Sequence, residues 1–203
     1  MRLSKRWVLA GILGLLSLNV SAFSLERYVE GVHYTKVEGS APLPNTVTEF
    51  FSFGCPHCYR LEPHMEEWLK TKPAEVTFNR VPATWNKKFQ VLAQLYYVLE
   101  ELNMVEESMM KTFGYIHKQG RHIHNKADAT AFLKTLGVAD DKIDATWNAD
   151  SVKAKVRGAG GLFAKNQVRG VPALLVNGQY QTSVSMAGSE QELFDVIRFL
   201  LSK

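Results

Sequence analysis

The chain has 203 residues, of which 46% are hydrophobic and 22% are charged, as in an ordinary folded globular protein. That length provides one substantial core, or one fold that carries an insertion. The formal net charge is +4, but the first 22 residues hold three basic side chains and no acidic ones, so the remaining 181 carry +1. A charge this small removes the main support for nucleic-acid binding.

The first 22 residues predict a secretory signal peptide that is cleaved after Ala22. A basic start is followed by a mostly apolar run, Trp7 to Leu18, and by small residues before the cleavage point. The run is short for a membrane span, although an uncleaved anchor is the alternative. We therefore expect an exported protein with no stable membrane insertion after cleavage.

The next segment has the pattern of three strands, Val32–Val37, Thr46–Phe53 and Glu75–Val81, and of one helix, Pro56–Lys70. The second strand is so apolar that we expect it to be central and covered on both faces, with Glu49 as the exception. Pro56 suits the first turn of the helix. Pro63 predicts a kink inside it.

Residues 86–167 have a helical pattern throughout. The predicted helices are Lys87–Leu102, Met104–Lys118, Ala127–Leu136, Asp140–Asn148 and Ser151–Asn166. Gly158, Gly160 and Gly161 weaken the last helix and predict an interruption there. The aromatic residues of this block are expected in the core, among them Tyr96, Tyr97, Phe113 and Trp147.

The β pattern returns after the helical block. Val171–Val176 predicts a buried strand, Asn177-Gly178 a hairpin turn and Gln179–Ser183 the partner strand. Ser189 and Glu192 form a capping box for a last helix that reaches Leu201. The simplest solution is one α/β sheet, split in sequence by an all-helical insertion.

Cys55-Pro56-His57-Cys58 stands where the central strand ends at Gly54 and the first helix begins. A thiol at a helix N-terminus faces unpaired N–H groups and the positive end of the helix dipole, which favour the thiolate. The second thiol lies about one turn away and can close a disulfide. Such a small loop adds little as a staple, so we interpret the pair as redox-active.

Three further residues, His57, Glu49 and Glu62, are candidates for a role at this dithiol. A protonated or donating His57 would stabilise the thiolate, and a buried Glu49, costly unless paired, could move protons to or from Cys58. Glu62 is a weaker candidate, since most helix glutamates are solvated. Zinc binding by His117, His122 and His124 together with the cysteines is disfavoured, because those histidines lie about 60 residues away and fit surface loops better.

These residues resemble the DsbA family of thiol:disulfide oxidoreductases, a branch of the thioredoxin superfamily. The resemblance rests on Glu49-Phe-Phe-Ser-Phe-Gly-Cys55-Pro-His-Cys58-Tyr, on Arg169-Gly-Val171-Pro172-Ala and on the position and size of the helical block. It covers essentially the whole chain after residue 22. It implies a thioredoxin-like α/β fold built from residues 23–85 and 168–203, interrupted by an all-helical insertion domain at 86–167.

The resemblance also implies roles for individual residues. Cys55 would be the exposed, attacking thiol and Cys58 the buried, resolving thiol. Val171 and Pro172, joined by a cis peptide bond, would lie beside the dithiol and shape the groove that binds substrates. Family members often have a lysine on the strand after the active-site helix, as partner of the buried acid; the position aligned to it here is Phe78, with Arg80 nearby.

The resulting prediction is a periplasmic oxidase that donates the Cys55–Cys58 disulfide and needs no other cofactor. Its partners would be unfolded exported polypeptides with free thiols and a membrane protein of the DsbB type that re-oxidises the pair. Two alternatives remain open at this stage: a reductase or isomerase kept reduced, and a peptide-binding chaperone whose cysteines are incidental.

Overall fold

A five-stranded mixed sheet forms the centre of the computed structural model, which describes residues 27–203. The strands are β1 (Thr35–Lys36), β2 (Thr46–Phe51), β3 (Thr77–Pro82), β4 (Ala173–Val176) and β5 (Tyr180–Thr182). They lie in the order β1-β5-β4-β2-β3, in which only β2 and β3 are parallel. The apolar strand β2 is therefore internal, as predicted.

Within residues 27–203, eight helices and one π-helical turn accompany the sheet. The helices are α1 (Pro56–Thr71), α2 (Lys87–Glu101), α3 (Val105–Phe113), α4 (Lys126–Thr135), α5 (Asp140–Asn148), α6 (Asp150–Lys165), α7 (Val184–Ala187) and α8 (Glu190–Leu201), with the π-helical turn at Gly114–Lys118. Helices α2 to α6 all fall between β3 and β4. This is the predicted helical insertion.

Each face of the sheet is covered by its own apolar cluster. Along β4, Leu174 and Val176 pack with side chains of α1 and α8, whereas Ala173 and Leu175 belong to the cluster formed with the insertion. This alternation is the two-residue period of a strand buried on both faces. Tyr96, Tyr97, Phe113 and Trp147, expected in the core, are all buried.

Several boundaries differ from the prediction. The first strand shortens to Thr35–Lys36, β2 ends at Phe51, and α7 was not predicted at all. The predicted helix Met104–Lys118 changes at Gly114 into the π-helical turn. Helix α1 continues past Pro63 to Thr71.

The glycines of α6 do not interrupt it, so that prediction is wrong. The helix runs unbroken from Asp150 to Lys165. A Cβ atom at Gly160 would stand 3.0 Å from the Thr84 hydroxyl oxygen, so this glycine allows α6 to approach the end of the segment after β3. The physical reason for glycine here is close packing, which a periodicity argument does not detect.

The predicted signal peptide lies outside the described residues. Within residues 27–203, no helix combines the length and apolar character needed to cross a lipid bilayer.

Candidate active site

Cys55 occupies the N-cap of α1, and the residues before it set its position. The Gly54 and Cys55 N–H groups donate to the Ser52 hydroxyl (3.1 Å) and carbonyl (3.0 Å), which turns the chain out of the strand. Cys55 itself is extended, and its Sγ accepts a hydrogen bond from the Cys58 N–H at 3.5 Å. Pro56 opens the helix, where its missing N–H removes no intrahelical bond.

The two thiols have opposite environments. Both cysteines are free; Cys55 is partly exposed and Cys58 is fully buried. The pKa of Cys55 is lowered to about 6, chiefly by the hydrogen bond from the Cys58 thiol and then by the N–H groups of Cys58 and His57. Burial raises the pKa of Cys58, and the adjacent Cys55 and Glu49 raise it further. A thiolate therefore forms on the outer sulfur and is disfavoured on the inner one.

The segment before β4 faces this outer sulfur. The peptide bond between Val171 and Pro172 is cis, as the family resemblance implied. The Cys55 thiol donates to the Val171 carbonyl oxygen at 3.4 Å, across 116 residues of sequence. The structure thus brings together the two motifs that the sequence places far apart.

Arg60 restricts the form of His57. Its Nη2 lies 2.6 Å from His57 Nδ1. Because a guanidinium only donates hydrogen bonds, Nδ1 is the acceptor in this contact. The role of His57 in stabilising the thiolate stays a prediction.

Glu49 of β2, Glu62 of α1 and Arg80 of β3 form a buried ion cluster. Arg80 Nε donates to Glu49 at 2.8 Å, and its Nη2 donates to both carboxylate oxygens of Glu62 at 2.8 and 2.9 Å. The side chains are only 6%, 1% and 1% exposed, respectively. Arg80, and not a residue at position 78, is thus the cationic partner of Glu49.

The strand register shows that Arg80, which the sequence placed only near the aligned position, faces Glu49. In the parallel pair β2–β3, Glu49 lies opposite Arg80, whereas Phe78 lies opposite Val47. The expectation of a solvated Glu62 is also wrong, because Arg80 holds that carboxylate inside the protein. Burial raises the pKa of Glu62 to about 8, and the charge of Glu49 raises it too, against the lowering effect of Arg80.

His117 is a residue whose position sequence reasoning missed. Its ring stacks on Tyr59, with centroids 5.2 Å apart and planes 8° from parallel, and its Nε2 lies 2.8 Å from the Phe53 carbonyl oxygen. It therefore joins the insertion to both sides of the dithiol turn. No local signal could reveal this, because the contact spans about 60 residues.

The other two insertion histidines, His122 and His124, stack on one another with ring centroids 5.2 Å apart. Both are exposed, as expected for loop residues. Among the side chains that the structure describes, no group of three or more histidine, cysteine, aspartate or glutamate residues is arranged to hold a metal ion.

A groove of about 560 Å³ opens beside Cys55. It lies between the start of α1, the segment that contains the cis peptide bond, and the β5–α7 connection. Its lining includes His57, Arg60, Arg169, Val171, Pro172 and Met186. The predicted substrate-binding pair, Val171 and Pro172, therefore lies in the wall of a groove next to the reactive thiol.

A dithiol at a helix N-terminus, facing a cis-proline segment on a mixed sheet, defines a thiol:disulfide oxidoreductase with a thioredoxin-like fold. Comparisons with known proteins agree. A family model described as a DSBA-like thioredoxin domain matches residues 75–195. The thiol:disulfide interchange protein DsbA of Pseudomonas aeruginosa is 32% identical over 202 residues, covering 97% of this chain and 95% of that protein. The protein of the same name from Bordetella pertussis is 35% identical over 71% of this chain and 68% of its own.

Solved structures give the same result. The crystal structure of Pseudomonas aeruginosa DsbA matches with a TM-score of 0.82 and 31% identity, covering 86% of this chain and 93% of that one. The oxidoreductase DsbA from Xylella fastidiosa matches with a TM-score of 0.79 and 25% identity, over 86% and 96% of the two chains. The chain belongs to the DsbA family.

Proposed function

We propose that the protein donates its Cys55–Cys58 disulfide to newly exported polypeptides in the periplasm, through a mixed disulfide at Cys55. The observation that carries the proposal is the asymmetry of the two thiols: the outer sulfur is stabilised as an anion at a helix N-terminus, and the inner sulfur is enclosed. A protein that favours its reduced form in this way gives its disulfide away readily.

The first step is attack by a client thiolate on Cys55 Sγ. A client–Cys55 bond forms, the Cys55–Cys58 bond breaks, and the electron pair of that bond leaves on Cys58 Sγ. Because burial raises the pKa of Cys58, this sulfur takes up a proton. The partial exposure of Cys55 and the full burial of Cys58 make Cys55 the sulfur that a client can reach.

The second step releases the product. Another client thiolate attacks the client sulfur of the mixed disulfide, and Cys55 leaves as a thiolate. Its pKa of about 6 makes it a good leaving group at neutral pH. The client loses two electrons and gains a disulfide, and the Cys55–Cys58 pair gains those electrons.

Glu49 is the residue we assign to proton transfer at Cys58. It is close enough for its charge to raise the pKa of that thiol. The cluster holds two carboxylates against one guanidinium, so both acids ionised would leave a net negative charge in the interior, which is unfavourable. The cluster therefore retains one proton, on Glu62, and ionised Glu49, whose charge acts on Cys58, is the group that passes a proton between the cluster and the Cys58 sulfur.

The cellular setting belongs to the proposal as well. The signal-peptide pattern and membership of the DsbA family support export to the periplasm. The two electrons then have to leave the reduced pair, and we assign this step to a membrane oxidase of the DsbB type. Clients bind in the groove beside Cys55, where the edge formed by Val171 can receive an extended chain.

The test is the equilibrium of the Cys55–Cys58 pair with a glutathione buffer. We expect the pair to be largely reduced in mixtures that leave an ordinary structural disulfide oxidised. A pair that remains oxidised alongside such a disulfide would contradict the donor role. In cells, acid-trapped protein should carry an oxidised pair; a reduced pool would favour a reductase. If Cys55→Ser keeps full activity in client folding, the protein is a chaperone instead.

A further inference from the structure

The lining of the groove beside Cys55 is more cationic than its two predicted residues suggest. Its wall is largely apolar but also includes uncharged polar residues, namely Gln167, Gln181, Thr182, Ser183 and Ser185. Two arginines, Arg60 and Arg169, line the same space. Among the described residues, Glu190 is the only carboxylate that lines it.

Neither arginine is neutralised by a neighbour. Within residues 27–203, no carboxylate pairs with Arg60 or Arg169. Arg60 uses one N–H group on His57 Nδ1, which orients the guanidinium and leaves its other donors free. The donors of Arg80, by contrast, are taken up by two buried acids.

The carboxylate of Glu190 offsets only part of this charge. It lies in the first turn of α8, where the positive end of the helix dipole and the free N–H groups favour a negative side chain. The groove therefore carries two arginines and one acid, and the N-terminus of α8 already stabilises the charge of that acid.

We propose that the groove selects client segments that carry an acidic side chain close to the reacting cysteine, and that Arg60 and Arg169 bind that carboxylate. The inference rests on the proposed function, because a client reaches the groove while its cysteine is bonded to Cys55. The Val171 carbonyl lies 3.4 Å from Cys55 Sγ, so a bonded client passes along this edge. Arg169 stands two residues before Val171 on the same segment.

The chemistry of guanidinium suits this task. Its planar fork of donors matches a carboxylate and can bind it through two parallel hydrogen bonds. Both arginines are exposed, so each contact is screened by water and salt. We therefore expect clients with an acidic residue beside the cysteine to react about threefold to tenfold faster than clients with a basic residue there, at low ionic strength. The effect acts mainly on the rate of association.

The experiment compares three cysteine peptides that differ only in the residue next to the cysteine: glutamate, glutamine or lysine. Each is oxidised by the disulfide form of the protein, and its rate is divided by its rate with a small neutral disulfide. This division removes the effect of the neighbouring charge on the peptide thiol itself. The wild-type protein should oxidise the glutamate peptide about threefold to tenfold faster than the lysine peptide, and added salt should reduce the ratio.

The variants are Arg60→Gln combined with Arg169→Gln, and Arg157→Gln as a matched control on the exposed side of α6. The double variant should lose the glutamate-over-lysine ratio, and the control should keep it. Because the ratio is taken within each protein, a change in Cys55 reactivity cancels. An unchanged ratio in the double variant, or equal rates for all three peptides with the wild type, would overturn the inference and leave the donor function intact. If no peptide is oxidised, the donor function fails and the inference falls with it.

Discussion

Replacement of Glu62 by glutamine tests the buried ion cluster. In the wild type, two carboxylates share Arg80; in Glu62→Gln, Arg80 keeps one ionised partner, Glu49, and the charges balance. The Glu62 carboxyl, 1% exposed, has its pKa raised from an ordinary 4.5 to about 8, mainly by burial. The folded protein thus holds a proton that the unfolded chain has already lost.

The size and sign of the effect follow from linkage. The stability associated with this proton is fully present below pH 4.5 and is lost as the pH rises through about 8. Over that window the free energy of unfolding falls by up to about 1.4 kcal/mol per pH unit, or about 4 kcal/mol in total. Glutamine has no proton to lose. The variant should therefore match the wild type in acid and become increasingly more stable than the wild type toward pH 8.

The assay is urea unfolding of the reduced protein at about pH 5 and about pH 8, with the free energy taken from the linear extrapolation. Glu67→Gln is the control, because Glu67 lies on the same helix but is exposed and only loosely paired with Lys70 at 3.5 Å. The control should follow the wild type at both pH values. If the stability difference between Glu62→Gln and the wild type is the same at both pH values, the proposed proton on Glu62 is refuted.

Four further changes test other parts of the site and core. Cys58→Ala should raise the pKa of Cys55 above about 6, because it removes the strongest stabilising hydrogen bond; thiolate absorbance against pH measures this, and an unmoved midpoint contradicts it. Arg80→Met leaves two buried carboxylates without their cation and should lower the free energy of unfolding by about 3–5 kcal/mol in urea titrations, whereas a loss below about 1 kcal/mol would rule out that pairing. Glu49→Gln should slow single-turnover reduction of the disulfide by a dithiol peptide at least about tenfold, and a wild-type rate would remove its proton-transfer role. Phe113→Ala should destabilise the protein by about 3–5 kcal/mol, since this ring is fully buried. Thermal unfolding measures this loss of stability, and a clearly smaller loss would contradict the prediction.

Local sequence signals predicted the dithiol turn well. The strand, the glycine, the cysteine and the helix follow one another within a few residues, so short-range propensities and helix-end chemistry are sufficient to place Cys55 at the N-cap. The same holds for the capping box of α8, where the Ser189 hydroxyl accepts from the Glu192 N–H at 3.1 Å. Family resemblance added the cis bond at Pro172, which no local pattern contains.

Features that depend on register between distant segments could not be predicted. Phe78 and Arg80 are two residues apart on one strand and point to the same face, so a two-residue period does not distinguish them. Only the pairing of β2 with β3 shows that Arg80 is opposite Glu49. Once Arg80 is there, Glu62 can be buried, and a helix glutamate that looked solvated becomes part of the interior.

Full enclosure of the Cys58 sulfur has a consequence for how long clients stay attached. After the first exchange, the backward reaction requires Cys58 to attack the bond between the client and Cys55. Its raised pKa keeps this sulfur protonated and therefore a poor nucleophile. On the mechanism proposed above, a client with two thiols would be released by its own second sulfur, whereas a client with one thiol would stay bonded until a thiol of another molecule attacks. The burial of one atom would thereby favour the release of clients with two cysteines.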